Sequence, residues 1–149
     1  MDQIRPWLFI GGYRDTIHLA YLQWKSISAM LQRAEKVEQP NIFSLYLAVE
    51  DLAPVSSHHI RQGVDFILEH KQKENRVLVA SGAGINRSSA FCAAALKESE
   101  GLSLFDAFKS VKKVHPESMP HEPVWNSLCE YYSESTPYLD VMRLGIKFS

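Results

Sequence analysis

The stretch "VLVASGAGINRSSA", residues 77–90, decides the fold. "RVLVA" (76–80) reads as a strand, apolar at four successive positions and therefore covered on both faces. A helix follows from about Arg87 to Glu100, and Gly101 stops it. Between strand and helix lies a loop, 81–87, at the strand's carboxyl end, where ligands of parallel sheets gather. The helix N-terminus offers unpaired amides and the positive end of a dipole, a combination that favours a dianion. Gly82 and Gly84 let the backbone curl so that the amides of Gly82, Ala83, Gly84, Ile85, Asn86 and Arg87 converge as an anion nest. Arg87 adds a planar, two-pronged donor that a lysine cannot match.

Other glycine loops fit this stretch less well. A dinucleotide fingerprint has glycine or alanine where Arg87 stands and an acid about twenty residues on, where this chain has Leu102. A Walker loop has Gly-Lys-Ser/Thr, and no lysine is present here.

Outward from the loop, strand-like and helix-like segments alternate. "WLFIGG" (7–12), "SISAML" (26–31) and "IFSLYLAV" (42–49) read as strands, the last so continuously apolar that both faces are expected to be covered. "TIHLAYLQWK" (16–25) has helical spacing, with Ile17, Leu19, Ala20 and Trp24 available for one face. "SSHHIRQGVDFILEHKQ" (56–72) is a helix capped by Ser56 or Ser57, with Ile60, Val64, Ile67 and Leu68 on one stripe. Ser103 caps "LFDAFKSVKKVH", and three prolines precede a last helix, "VWNSLCEYY". This order predicts an α/β fold, a mainly parallel central sheet flanked by helices, in one domain spanning 1–149.

Composition narrows the function classes. The 149 residues carry a formal charge of −1, with 46% hydrophobic and 22% charged residues. That is a globular chain without the basic field that nucleic acid requires, so any anion site is local. No apolar run reaches membrane-spanning length and the N-terminus lacks a signal pattern, so no membrane partner and a cytoplasmic location are expected. Cys92 and Cys129 lie in apolar surroundings and read as two buried free thiols, Cys92 as a small hydrophobe rather than a redox residue. His58 and His59 form the first turn of a helix, with no second ligand set to make a metal site. "KSVKKVH" (109–115) reads as a solvated helix face.

The loop resembles the phosphate loop of cysteine-dependent phosphatases, whose pattern is His-Cys, five residues, then Arg and Ser or Thr. Ser81, Arg87 and Ser88 reproduce the spacing, while Ala80 and Ser81 replace the His and the Cys. The resemblance covers about residues 4–132 and is to the dual-specificity phosphatases: "IRPWLFIGG" is similar to their opening strand and "LAVED" to their acid loop. The tail 133–149 is left unassigned. The resemblance implies an enzyme whose thiolate attacks a phosphate ester, giving a thiophosphoryl intermediate that water cleaves, with no metal and no cofactor. It makes Asp51 the general acid, with Glu50 as substitute, and makes Ser88 the donor to the departing sulfur. The substrate it implies is a phosphoprotein or phosphopeptide; a phosphate or sulfate anion is expected in the loop. Pro120-His121 stands where the family carries Pro-Asn, and His121 reads equally as reaching the acid loop or as a solvated residue.

Ser81 sets the limit on turnover. Amides and an arginine can bring a thiol from about 8.5 down to neutrality. A serine alkoxide starts far more basic and needs an adjacent base, which Ala80 does not supply. The chain is expected to bind phosphate and barely hydrolyse it. Two histories fit: an inactivating Cys-to-Ser replacement, favoured by the retention of Asp51, Arg87 and Ser88, or a natural pseudophosphatase that binds phosphoproteins. A phosphatase for a non-protein ester is a third reading, disfavoured because "SGAGIN" carries no extra cation.

Overall fold

The computed structural model describes residues 1–48, 52–82 and 87–144, with the backbone alone at Arg87. In chain order its strands are β1 (Asp2–Arg5), β2 (Leu8–Gly12), β3 (Ile27–Gln32), β4 (Phe43–Tyr46) and β5 (Arg76–Ser81). The helices are α1 (Tyr13–Thr16), α2 (Leu19–Trp24), α3 (Ser57–Gln72), α4 (Arg87–Glu100), α5 (Leu104–Val114), α6 (Glu122–Tyr132) and α7 (Tyr138–Arg143). The strands form one sheet in the order β1-β2-β5-β3-β4. β5 pairs in parallel with both β2 and β3, and β3 in parallel with β4. Only the β1–β2 pair is antiparallel, so the expected mainly parallel sheet is what forms.

β5 is central because it can be buried on both sides. Alternate residues serve two cores. Val77 and Val79 face α3 to α6, where Ile60, Val64, Ile67, Phe91, Phe108 and Trp125 pack. Leu78 and Ala80 face the smaller cluster of Phe9, Leu22, Ile27 and Met30. Burying each such aliphatic side chain contributes about 1.5–3 kcal/mol. α4 is enclosed by its neighbours, which is why its sequence is small and apolar: Ala90, Cys92, Ala93, Ala94 and Ala95 are all buried. Gly101 ends it at φ 70°, and Ser103 accepts the Asp106 amide to start α5. Ser56, accepting from His59, is the cap of α3.

Several expectations are corrected. The segment 16–25 is not one helix: α1 and α2 are separated at Ile17 and His18, and His18 Nδ1 accepts the Tyr21 amide. Its buried residues are Thr16 and Leu22, while Ile17 and Trp24 are 51% and 75% exposed. Trp24 stacks with the Tyr21 ring and meets the Lys25 ammonium instead of entering the core. β4 is an edge strand, not one covered on both faces; it pairs only with β3, and Phe43 is 60% exposed. Of its apolar run, Leu45 and Leu47 pack with the main core and Ile42 against the smaller cluster, so continuity of apolar residues marks a short edge here. Cys92 is buried, but Cys129 is only half-buried, its sulfur 3.8 Å from the Thr136 carbonyl oxygen. The 109–115 face is solvated only in part. Lys112 Nζ donates to the Pro116 and Ser118 carbonyls at 2.9 and 2.7 Å, and the buried His115 ring meets Asp2 at 2.5 Å. The tail, unassigned from sequence, forms α7 and buries Val141.

Candidate active site

The site starts at the end of β5. Gly12 of β2 pairs with Ser81, and the Gly12 amide is itself held by Asp15 Oδ2 at 3.0 Å. Asp15 also takes the ammonium of Met1 at 3.3 Å, so the turn from β2 into α1 is pinned on two sides. On the other flank Gln32 pairs with Ala80. The Gln32 side chain clasps Val37 through both its amide oxygen and its amide nitrogen, which holds the segment after β3 against the sheet end. Strand ladders therefore fix position 81 from both neighbours.

Ser81 is 3% exposed and Ser88 is fully buried. Ser88 Oγ, in the first turn of α4, lies 2.7 Å from Ser81 Oγ and 3.3 Å from the Gly11 carbonyl oxygen. A hydroxyl has one proton, so Ser88 donates to one of the two at a time. A helix N-terminus directly beyond a strand end places a polar donor on the atom at position 81, an arrangement suited to an anionic sulfur or oxygen there. A shallow niche beside Ser81 is lined by Tyr13, Thr16, Gln32, Ala34, Glu35 and Ala80.

The structure brings Ser81 and Ser88 together, with Gly82 next to Ser81 in the chain. Glu50, Asp51, Ala83, Gly84, Ile85, Asn86 and the side chain of Arg87 lie outside the described residues. The segment after Asp51 is anchored: the Val55 amide donates to Ser127 Oγ at 2.9 Å, and Ser127 donates to the Pro123 carbonyl oxygen at 2.7 Å. α6 therefore holds the chain four residues beyond Asp51, and His121 is the N-cap residue of that helix. His58 and His59 are in the first turn of α3, as expected. Burial pushes the Cys92 thiol far above its ordinary range, which fits a packing role.

Two features escaped the sequence reading. Ser127 gave no signal, since a serine inside a helix is ordinary. Arg33 gave one that was passed over: an arginine directly after a strand whose last residues are all buried. Its guanidinium stacks on Phe91 at 3.8 Å from the ring centroid.

Comparison with known proteins agrees with this geometry. The family model for the dual specificity phosphatase catalytic domain matches residues 8–134. Human dual specificity protein phosphatase 5 is 29% identical over 140 residues, covering 91% of this chain and 36% of that protein. Human dual specificity protein phosphatase 2 is 35% identical over 117 residues, covering 74% of this chain and 37% of that protein. The chain therefore spans little more than a third of the length of these relatives. Among solved structures, human DUSP28 superposes with a TM-score of 0.83 at 25% identity, covering 95% of this chain and 99% of that one. The human tyrosine phosphatase-like serine/threonine/tyrosine-interacting protein does so with 0.81 at 29% identity, covering 89% and 95%. With a family model matching most of its length, the chain belongs to the dual specificity phosphatase catalytic-domain family.

Proposed function

We propose that this chain is the phosphoester-binding domain of a protein phosphatase, with serine where the reaction needs a cysteine. The observation that carries the reading is the 2.7 Å contact between Ser88 and Ser81, both buried at the strand-to-helix junction. A hydroxyl aimed at position 81 has a use when a sulfur there must leave as an anion. With cysteine at 81, the thiolate attacks phosphorus and the P–O bond to the substrate breaks. Asp51 gives its proton to the departing oxygen. Asp51 then takes a proton from water, which attacks the phosphoryl group and breaks the P–S bond, and Ser88 donates to the thiolate released. Arg87 and the amides of 82–87 hold the non-bridging oxygens throughout. With serine at 81 the same groups bind a phosphoprotein and stop there, because no adjacent base makes the alkoxide.

A second reading has its own support. Ser81 and Ala80 together remove both residues of the family's His-Cys pair, and one structural neighbour is called phosphatase-like and interacting. On that reading the chain is a phosphoprotein-binding module that never turned over its ligand. Restoring the sulfur separates the two. If the chain derives from an enzyme, Ser81→Cys hydrolyses p-nitrophenyl phosphate well above background, and iodoacetate abolishes the activity. If Ser81→Cys binds phosphopeptide but stays inert from about pH 5 to 8, the binding-module reading replaces it.

A further inference from the structure

Arg33 is 1% exposed, and among the described residues no other Arg, Lys, Asp or Glu is buried. Its place follows from the ladder. Gln32 pairs with Ala80, and the Arg33 amide donates to the Ala80 carbonyl at 2.9 Å, so pairing runs one step beyond β3 and sets Arg33 beside Ser81. Side chains at paired positions of adjacent parallel strands point to the same face, with the strands about 4.8 Å apart. Two contacts fix that face. The Arg33 guanidinium lies over Phe91, and Ser81 Oγ meets Ser88 Oγ; Phe91 and Ser88 are both on α4, one turn apart. Positions 33 and 81 therefore sit side by side on adjacent strands, with the cation against the second turn of the helix whose first turn meets Ser81.

A guanidinium is expensive to bury, and an apolar side chain of similar volume would fill the space against Phe91 at least as well. What an apolar side chain cannot supply is positive charge next to an anion site. Among the described residues, the other groups facing position 81 do not supply it from the interior. Tyr13 and the exposed Glu35 line the niche beside Ser81, and Asp15 is committed to the Gly12 amide and the Met1 ammonium. Ser88 of α4 is neutral, and the buried residues of α3 are Ile60, Gly63, Val64, Ile67 and His70, the last lying against Asn75 and the Phe43 and Phe66 rings. Ala80, on the strand itself, carries no imidazole.

We propose that Arg33 is a positioning residue of the phosphate site, a buried cation on the neighbouring strand that biases the group at position 81, and the ester bound to it, toward negative charge. The inference rests on position 81 being the nucleophile position, as read above. It assigns the electrostatic assistance absent at Ala80 to the strand on the other side of the nucleophile.

The test reads ionisation rather than turnover. In Ser81→Cys protein, the rate of iodoacetamide alkylation at position 81 against pH, followed by peptide mass spectrometry, gives the midpoint at which the thiolate forms. Replacing the cation by an uncharged side chain of similar length, Arg33→Met, is expected to raise that midpoint by about one to three pH units. Alkylation at pH 6 then falls about tenfold or more. Arg33→Lys keeps the charge and is expected to leave the midpoint within about half a unit. Arg33→Gln makes the same comparison if Arg33→Met does not fold. An unchanged midpoint in the neutral variants overturns the proposal. So does an equal rise with Met and with Lys, which would show that packing on Phe91 matters and charge does not. Absence of p-nitrophenyl phosphate hydrolysis by Ser81→Cys, with the midpoint still moving, removes the enzyme reading and keeps this one; hydrolysis with a fixed midpoint does the reverse.

Discussion

On the proposed reading, a single atom at position 81 divides binding from turnover. The Ser81 oxygen lies in a buried junction with a hydroxyl donor 2.7 Å away, at a helix N-terminus and on the strand next to the one that carries the buried Arg33. All of these stabilise negative charge, yet a hydroxyl in that field keeps its proton. A sulfur there would lose it, because a thiol begins only about 1.5 units above neutrality. The acid is the other half of the chemistry. In a Ser81→Cys protein, Asp51→Asn is expected to slow esters with basic leaving groups by about 10²–10⁴-fold. Esters such as p-nitrophenyl phosphate, whose phenolate departs without a proton, are expected to slow far less. Rates for a series of aryl phosphates check this, and equal slowing across the series would show that Asp51 positions a loop instead. The junction that joins Ser81 to Ser88 is legible in the sequence because it is a local object, one strand end and one helix start. Arg33 is not, because its partner at position 81 lies forty-eight residues away and meets it only through the β3–β5 register.

At the scale of elements, α4 is the piece that joins core to site. Its first turn carries Ser88, its second carries Phe91 under Arg33, and it is wrapped by neighbours as far as Leu96. α3 can approach only because Gly63 has no side chain. A Cβ at Gly63 would lie 2.4 Å from the Phe91 ring, with Leu31 also at 3.4 Å. Glycine inside a helix is unfavourable by about 1 kcal/mol relative to alanine, so α3 retains it for packing. Gly63→Ala should therefore destabilise the protein despite the better helix former, by about 1–3 kcal/mol, as overpacking does. Because the displaced ring is the one that carries Arg33, the variant should also loosen the phosphate site. Urea denaturation measures the first effect and phosphate calorimetry the second; a stabilised variant would mean that α3 and α4 separate without loss. The long amphipathic α3 and α5 were legible in sequence, since their apolar stripes meet a single face of the core. The α1–α2 pair and β4 were misread for one common reason. Their apolar residues Ile17, Trp24 and Phe43 lie on the surface, and periodicity does not say which apolar residues the tertiary structure leaves exposed.

Across the whole molecule, the segment after α6 closes the helical layer onto itself. Trp125, buried in the main core, donates its indole N–H to the Thr136 carbonyl at 2.9 Å, and Tyr138 donates to the Pro120 carbonyl at 2.8 Å. Glu134 joins three helices: its Oε1 accepts the Leu104 amide at the start of α5 at 2.9 Å, its carboxylate pairs with Lys97 of α4, and it follows directly from α6. Burial works against the Glu134 carboxylate, but Lys97 and the Leu104 amide outweigh it and hold its pKa below the ordinary carboxylate value. A carboxylate with a lowered folded-state pKa stabilises the fold fully above its unfolded value, about 4.3. That contribution is lost as pH falls through the lower, folded value. Glu134→Gln leaves an oxygen for the Leu104 amide but removes the charge, so it isolates the ionic part. The variant should unfold at lower urea than the parent at pH 7, and the gap between their midpoints should close progressively below about pH 4, once the parent's carboxylate is protonated too. A gap that stays constant from pH 7 to pH 3 would mean that the charge of Glu134 contributes nothing, and that the tail is held by Val141, the Trp125 indole and the Tyr138 hydroxyl alone.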